Sequence, residues 1–305
     1  MKRVAVIGAG KWGQALAHAL RQKCEVLITS RTPRDIPGFV TLDEAMEVEN
    51  LVIAISAQAI EGWLHAHYGF KEHQILVASK GIDAKTGAFM NEIFEKYVPR
   101  TNLSFISGPS FAKEVMASLP TAVVISSENR LAASMWSDLF PDFMKTYVGT
   151  DVMGAEVGGS YKNVIAIASG ICEGLGLGQN AKAALVSRGL VEMARFGEAF
   201  GARKETFLSL CGAGDLFLTA NSTLSRNYRV GLGLAEGKSL ELILEELKEV
   251  AEGIGTAEAL HRISETNDIY IPIANEVYEI LHGKDPKESL KDLLRHKGAS
   301  KNPTR

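Results

Sequence analysis

Cysteine is scarce in this chain. Cys24, Cys172 and Cys211 are scattered over 305 positions and form no CxxC pair. That pattern excludes a disulfide framework and suits a reducing compartment, the cytoplasm. Neither sign of charge dominates: 33 Lys and Arg stand against 36 Asp and Glu, a formal net charge of −3. Such a balance speaks against a nucleic-acid partner. No apolar run is long enough to span a bilayer, so stable membrane insertion is not expected. The opening "MKRVAVIGAGKWG" has two basic residues, but its apolar run is cut by glycines and Lys11, unlike a signal-peptide core. Seven histidines, His65 and His67 among them, show no ligand spacing such as HExxH, and no metal is expected. Repeats and low-complexity tracts are missing as well, and the polar end "KGASKNPTR" reads as a frayed tail. What is present is apolar residues, 46% of the chain, enough for one large domain or two ordinary ones.

The first half alternates short apolar runs with helical patterns. "RVAVIG", "CEVLITS", "NLVIAIS", "QILVASKG", "LSFISG" and "TAVVISS" are rich in Val and Ile and apolar on both faces, as parallel strands covered by helices are. Between them "TLDE" at 41–44 is a capping box, and "TGAFMNEIFEKYV" at 86–98 has helical spacing. Beyond "KTYVGTD" the pattern turns helical, in "AKAALVSRGLVEMARFGEAFG", "SLELILEELKEVAEG" and "PKESLKDLLRHKG". The fold expected is α/β: an N-terminal Rossmann-like doubly wound sheet over residues 1–150 and a C-terminal all-α substrate domain over 151–305. Asp151 is the candidate N-cap of the first long helix of the second half.

"VAVIGAGKWGQALAHAL" sets Gly8, Gly10 and Gly13 as a GxGxxG between a strand and a helix. In that position the motif marks a dinucleotide site. Gly8 permits the tight turn, Gly10 lets backbone approach a pyrophosphate, and Gly13 lets the helix pack on the sheet. The end of the second strand, "VLITSRTPRD", lacks the acid that usually binds the ribose of NAD. Arg31 there can pair with a 2′-phosphate, which favours NADP(H), or it can stack on adenine, which leaves NAD(H) possible.

Polar residues also stand in apolar surroundings. Lys80 follows the fourth strand, and Gly108, Pro109 and Ser110 follow the fifth, where open α/β sheets bind ligands. Lys162 and Asn163 precede the greasy run "VIAIASG", so a charge and an amide head a buried helix. Asp215 lies in a glycine-rich break, and Arg226 and Asn227 start another turn. Singly, each has an ordinary structural use: a snorkelling lysine, an N-cap, a surface ion pair.

Jointly they match a family. The chain resembles bacterial-type NAD(P)-dependent glycerol-3-phosphate dehydrogenase over nearly all its length. The resemblance is carried by "GAGKWG", "SKG", "SGPSFAKEV", "PTAVVIS", "GGSYKNVIAIASG", "GLGLGQNAKAALVSRGL", "GAGDLFLT", "SRNYRVG" and "VAEGIGTA", in the family's order. It implies reduction of dihydroxyacetone phosphate to sn-glycerol 3-phosphate, a phospholipid precursor, in a cytoplasmic enzyme that is often a homodimer. It implies Lys162 as the catalytic acid/base, Lys80 reaching cofactor and substrate, and Asp215 in the substrate pocket. Gly108, Ser110, Ser225, Arg226 and Asn227 match substrate contacts, with Arg226 also near the cofactor. Lys11, Trp12, Arg31, Ala112, Val250 and Glu252 match cofactor positions. Two departures lie on the cofactor side. "RTPRDIPGFVTLDEAMEVE" is shorter than the family's usual segment after the second strand and lacks its extra helix, and "Ile55-Ser56-Ala57" replaces the usual "VPS".

The chemistry accounts for these residue types. Reduction delivers a hydride to C2 and a proton to its oxygen, so a proton donor must stand nearby. A free lysine titrates too high for that, and burial or a second cation lowers it. Lys80 supplies the second cation, while the charge of Asp215 would raise the pKa again. Arg226 can pair bidentately with a phosphate dianion, and Asn227 adds a neutral donor. Cys211 is expected to be a small packed residue. Two other readings stand beside this one: a related two-domain dehydrogenase of a β-hydroxy acid, and a dinucleotide-binding sensor without turnover, which would need neither lysine.

Overall fold

The computed structural model describes residues 2–69 and 72–295. The tail sequence "KGASKNPTR" lies outside them. Seven strands form one sheet in the order β2-β1-β3-β4-β5-β6-β7. They are β1 (Arg3–Ile7), β2 (Glu25–Thr29), β3 (Asn50–Ile53), β4 (Gln74–Val77), β5 (Leu103–Ser107), β6 (Thr121–Ser126) and β7 (Met144–Gly149). The first five run parallel, with Ile7 level with Thr29 on one side and Ile53 on the other. β1, β3 and β4 are buried on both faces, which is why they are almost wholly aliphatic. The chain order reverses between β1 and β3, so their carboxyl ends open the crevice where such sheets bind ligands.

Two features depart from the expected run of parallel strands. β6 pairs antiparallel with β5, Ile106 opposite Ile125. The link between them holds only a short helix, Ala112–Met116, too little to carry the chain back across the sheet, so β6 returns from the same end. β7, parallel to β6, was not expected: its middle, Lys145 to Val148, is exposed or half-buried and lacks the apolar signature. The shortened segment after β2 holds no helix before Leu42–Met46. Instead it runs along the edge strand, where Ile28 N–H donates to Gly38 O at 2.9 Å and Val40 N–H to Ile28 O at 3.0 Å. That covers an edge otherwise open to pairing.

After β7 the chain is helical. Asp151 caps the helix Val152–Gly174, its carboxylate accepting from Gly154 N–H at 2.9 Å, and it also accepts from Thr206 Oγ1 at 2.6 Å. This helix is buried without interruption from residue 158 to 172, because the helices Gly178–Ala199, Asp215–Ala220, Arg226–Ala235 and Glu252–Asn267 pack around it. Lys162 and Asn163 therefore do not head a helix; they sit at its middle. Gly158 and Gly159 lie inside the helix, not at its start. In space Gly158 lets the backbone of Cys211 pass where a Cβ would stand. Two other helices are shorter than their spacing suggests. Residues 83–88 form a turn held by Asp83, which leaves only Met90–Phe94 helical. Lys248, in the left-handed region at φ 53°, ends the helix Leu240–Leu247 before a new one starts at Glu252.

Candidate active site

The carboxyl ends of β4 and β5 face the middle of the buried helix. Lys80, three residues past β4, stretches over Gly159, where a glycine leaves room for its stem. Gly108, just past β5, offers its carbonyl to Lys80 Nζ at 3.3 Å and to Ser110 Oγ at 3.0 Å. From the helical side a π-helical turn, Leu210–Gly214, delivers Asp215 at the start of the next helix. Such turns expose backbone and side chains that a regular helix would bury, and they recur at functional sites.

Asp215 joins these parts. Its Oδ2 accepts from Lys80 Nζ at 2.9 Å, and its Oδ1 accepts from Lys162 Nζ. Lys162 also donates to Thr219 Oγ1 at 3.1 Å, whose hydroxyl in turn donates to Asp215 O at 2.6 Å. Asp215 is 1% exposed and Lys162 7%. Burial would raise the Asp215 carboxyl, but Lys162 and Lys80 outweigh it and hold the group below its ordinary value. Burial pulls Lys162 down to about 8, with Lys80 acting in the same direction and Asp215 against it. The three charges leave one surplus positive charge at the floor of the crevice. Thr219, one helical turn beyond Asp215, was not singled out in the sequence; its i, i+4 spacing places it on the same face.

The glycine loop forms the other wall. Gly8 adopts φ +115°, and a Cβ there would lie 2.5 Å from Ala54 O. Gly10 is the N-cap of the helix Lys11–Leu20 without a side-chain cap, and a Cβ on it would meet nothing within 4 Å. The start of that helix thus has no side-chain cap and leaves room beside Gly10, as a dinucleotide pyrophosphate requires. Gly13 packs tightly against Gly8 O. Trp12 Nε1 donates to Ala78 O at 3.1 Å and is fixed to the end of β4. Ala112 opens the short helix after β5. Arg31 and Arg34 are exposed beyond β2.

The second domain closes over this wall. Ser56 and Ala57, two of the residues that depart from the family pattern, lie close enough to Glu252 to lower its carboxyl. Burial raises its carboxyl against these two and Arg226, and its Oε2 is buried without a partner. An orphaned acceptor beside Gly81, at the carboxyl end of β4, fits a cofactor with amide or hydroxyl donors. Asn227 Oδ1 accepts from Gly253 N–H at 2.9 Å and ties the two helix starts together. Ser225 caps its own helix, accepting from Tyr228 N–H at 3.2 Å. Val250 is exposed, and Arg226 faces Glu249 at 3.5 Å. Lys80, Gly108, Ser110, Lys162 and Asp215 therefore form one cluster, Arg226, Asn227, Val250 and Glu252 a second, and Arg31 stands apart. Cys211 is buried, and burial pushes its thiol up to about 11, which makes it a packed residue rather than a nucleophile. Among the described residues no group of three His, Cys, Asp or Glu could hold a metal ion, and no helix is long and apolar enough to cross a membrane.

A doubly wound sheet with this loop and with Lys80 past its fourth strand, facing a buried lysine, Lys162, carried by a helical domain, defines a two-domain nicotinamide dehydrogenase. Comparison with known proteins narrows the class. The family model for the NAD-dependent glycerol-3-phosphate dehydrogenase N-terminus matches residues 26–133, and that for the C-terminus matches residues 151–291. A glycerol-3-phosphate dehydrogenase [NAD(P)+] of Sulfurimonas denitrificans is 62% identical over 294 residues, 96% of this chain and 99% of that one. Another, of Campylobacter jejuni, is 54% identical over 293 residues, 96% of this chain and 99% of that one. The crystal structure of glycerol-3-phosphate dehydrogenase from Coxiella burnetii superposes with a TM-score of 0.89 at 32% identity, over 96% of this chain and 99% of that one. The chain belongs to the NAD-dependent glycerol-3-phosphate dehydrogenase family.

Proposed function

We infer that this protein reduces dihydroxyacetone phosphate to sn-glycerol 3-phosphate with NADH or NADPH, and that Lys162 moves the proton. The observation that carries this reading is the buried Lys162–Asp215–Lys80 cluster at the carboxyl ends of the strands. The reduced nicotinamide supplies a hydride when bound. Gly8, Gly10, Lys11, Trp12, Gly13, Ala112, Val250 and Glu252 would hold that cofactor, with the helix amides behind Gly10 on its pyrophosphate. Lys162, as the ammonium, donates its proton to the C2 oxygen, and in the reverse direction the free amine takes it back. Lys80 orients and polarises the substrate and shields its charge from Asp215. Asp215 holds both lysines in register and keeps Lys162 charged up to about pH 8.

The substrate phosphate falls to Arg226, with Ser225, Asn227, Gly108 and Ser110 around it, because a dianion needs a bidentate cation and neutral donors. This division supports a phosphate ester over a β-hydroxy acid, and the paired lysines support turnover over mere sensing. NADPH serves at least as well as NADH, since Arg31 rather than an acid follows β2. Residues 1–150 form the cofactor domain and 151–305 the substrate domain of a cytoplasmic homodimer, a reading supported by family likeness. The test is to mix the protein with dihydroxyacetone phosphate and NADPH or NADH and follow the reduced cofactor by absorbance. Oxidation that needs the phosphorylated ketone, with dihydroxyacetone a poor substitute, is expected; no oxidation with either cofactor would refute the reading.

A further inference from the structure

Glu249 lies in the short link between the helices Leu240–Leu247 and Glu252–Asn267. Its two carboxylate oxygens are divided between two parts of the molecule. Oε1 accepts from Nζ of Lys11, the first residue of the helix behind the glycine loop, and Oε2 pairs with Nη1 of Arg226 at 3.5 Å. Arg229, one turn beyond Arg226, adds a third positive charge facing Glu249, and its Nε is buried without a partner. These cations hold the Glu249 carboxyl ionised against the burial that would raise it. A carboxylate is thus lodged among the cations suited to a phosphorylated ligand, and it cannot share Arg226 with a phosphate dianion without two anions coming into contact.

We propose that Glu249 is a built-in competitor for the phosphate site, an anion that occupies Arg226 and Lys11 until a phosphate monoester displaces it. The displacement costs the same for every anion. It therefore weakens inorganic phosphate and the phosphorylated ketone by one common factor, and the ketone, which gains contacts elsewhere in the crevice, stays bound at concentrations where inorganic phosphate no longer does. Both pairs are partly exposed, with Lys11 78% and Arg226 43% accessible, so the barrier is modest and sensitive to salt. The proposal rests on Arg226 as the reader of the substrate phosphate.

The experiment titrates inorganic phosphate, and separately sn-glycerol 3-phosphate, into the full chain without cofactor by calorimetry at low salt. Wild type is compared with Glu249→Gln, Glu249→Ala, Arg226→Ala and the double variant Arg226→Ala/Glu249→Gln, with unfolding midpoints recorded for each. Both Glu249 variants should bind inorganic phosphate roughly three- to tenfold more tightly, the gain expected from releasing two partly exposed pairs. The gain should vanish in the Arg226→Ala background and shrink at high salt. Unchanged or weaker binding in folded Glu249→Gln and Glu249→Ala, while Arg226→Ala still loses phosphate, would overturn the proposal and leave Arg226 in its role. If Arg226→Ala loses nothing, the reading of Arg226 itself fails, and the proposal with it.

Discussion

Asp215 and Glu249 each stand between two cations, Asp215 between Lys162 and Lys80, Glu249 between Lys11 and Arg226. The side chain of Asp215 is 1% exposed and that of Glu249 22%. The same charge pattern serves different ends at these two depths. In the buried cluster water cannot screen the charges, so a lysine titrates far from its ordinary value and the geometry is fixed. In the open cluster water and salt compete, the pairs are weak, and a ligand can replace the carboxylate. The chemistry calls for the first property and the exchange of phosphorylated ligands for the second.

Breaking the buried cluster should have the largest effects. Lys162→Ala should lower kcat by about two to four decades, the loss of a positioned acid, while leaving cofactor binding intact; steady-state rates beside a fluorescence titration of NADPH check both. A near-normal kcat would remove Lys162 from the reaction. Asp215→Ala leaves two ammonium groups facing each other in a buried site. It should cost about 3–5 kcal/mol of stability, read from denaturant unfolding. A loss below about 1 kcal/mol would mean that the lysines separate freely once the carboxylate is gone.

The open cluster should respond less and more selectively. Arg226→Ala should cost about 2–4 kcal/mol in kcat/KM for dihydroxyacetone phosphate and much less for dihydroxyacetone. Equal losses on the two ketones would show that Arg226 does not read the phosphate. The smallest effect belongs to Arg31, exposed beyond β2. Arg31→Asp should move the ratio of kcat/KM values toward NADH by about 1–3 kcal/mol, with Arg34 nearby able to reduce the shift. A wild type that strongly prefers NADH, with a ratio that the substitution leaves alone, would make Arg31 a bystander.

The same contrast in depth explains what could be read in the sequence. Strands buried on both faces announce themselves through Val and Ile, and β1 to β5 were legible for that reason. β7 was not, because Lys145 to Val148 carry no more than a half-buried alternation, and the reversed direction of β6 leaves no mark on its own residues. The glycine loop and the Asp151 cap are local devices whose geometry follows from a few adjacent residues. The sequence hides the central position of Lys162, because a helix buried on all sides has no polar stripe to show its extent. Family motifs name candidate site residues and carry no distances. That Asp215 bridges both lysines, and that Thr219 supports Lys162, emerged only when β4, the π-helical turn and the central helix were placed together. Glu249 carries no signal of its own in the sequence, since its partners lie 238 and 23 positions away.

The pH dependence of turnover tests most directly whether burial makes Lys162 a usable acid and base. Reduction needs the ammonium, and oxidation of sn-glycerol 3-phosphate needs the amine. With Lys162 lowered from 10.5 to about 8, kcat for reduction should hold steady below that pH and fall above it, and kcat for oxidation should rise through the same pH. Removing the Asp215 charge withdraws the main influence that raises Lys162, so in Asp215→Asn both bends should move to lower pH. Mirrored bends near pH 8 that shift together in the variant are the predicted result. Flat profiles, or bends near the ordinary lysine value of 10.5 in both proteins, would contradict it.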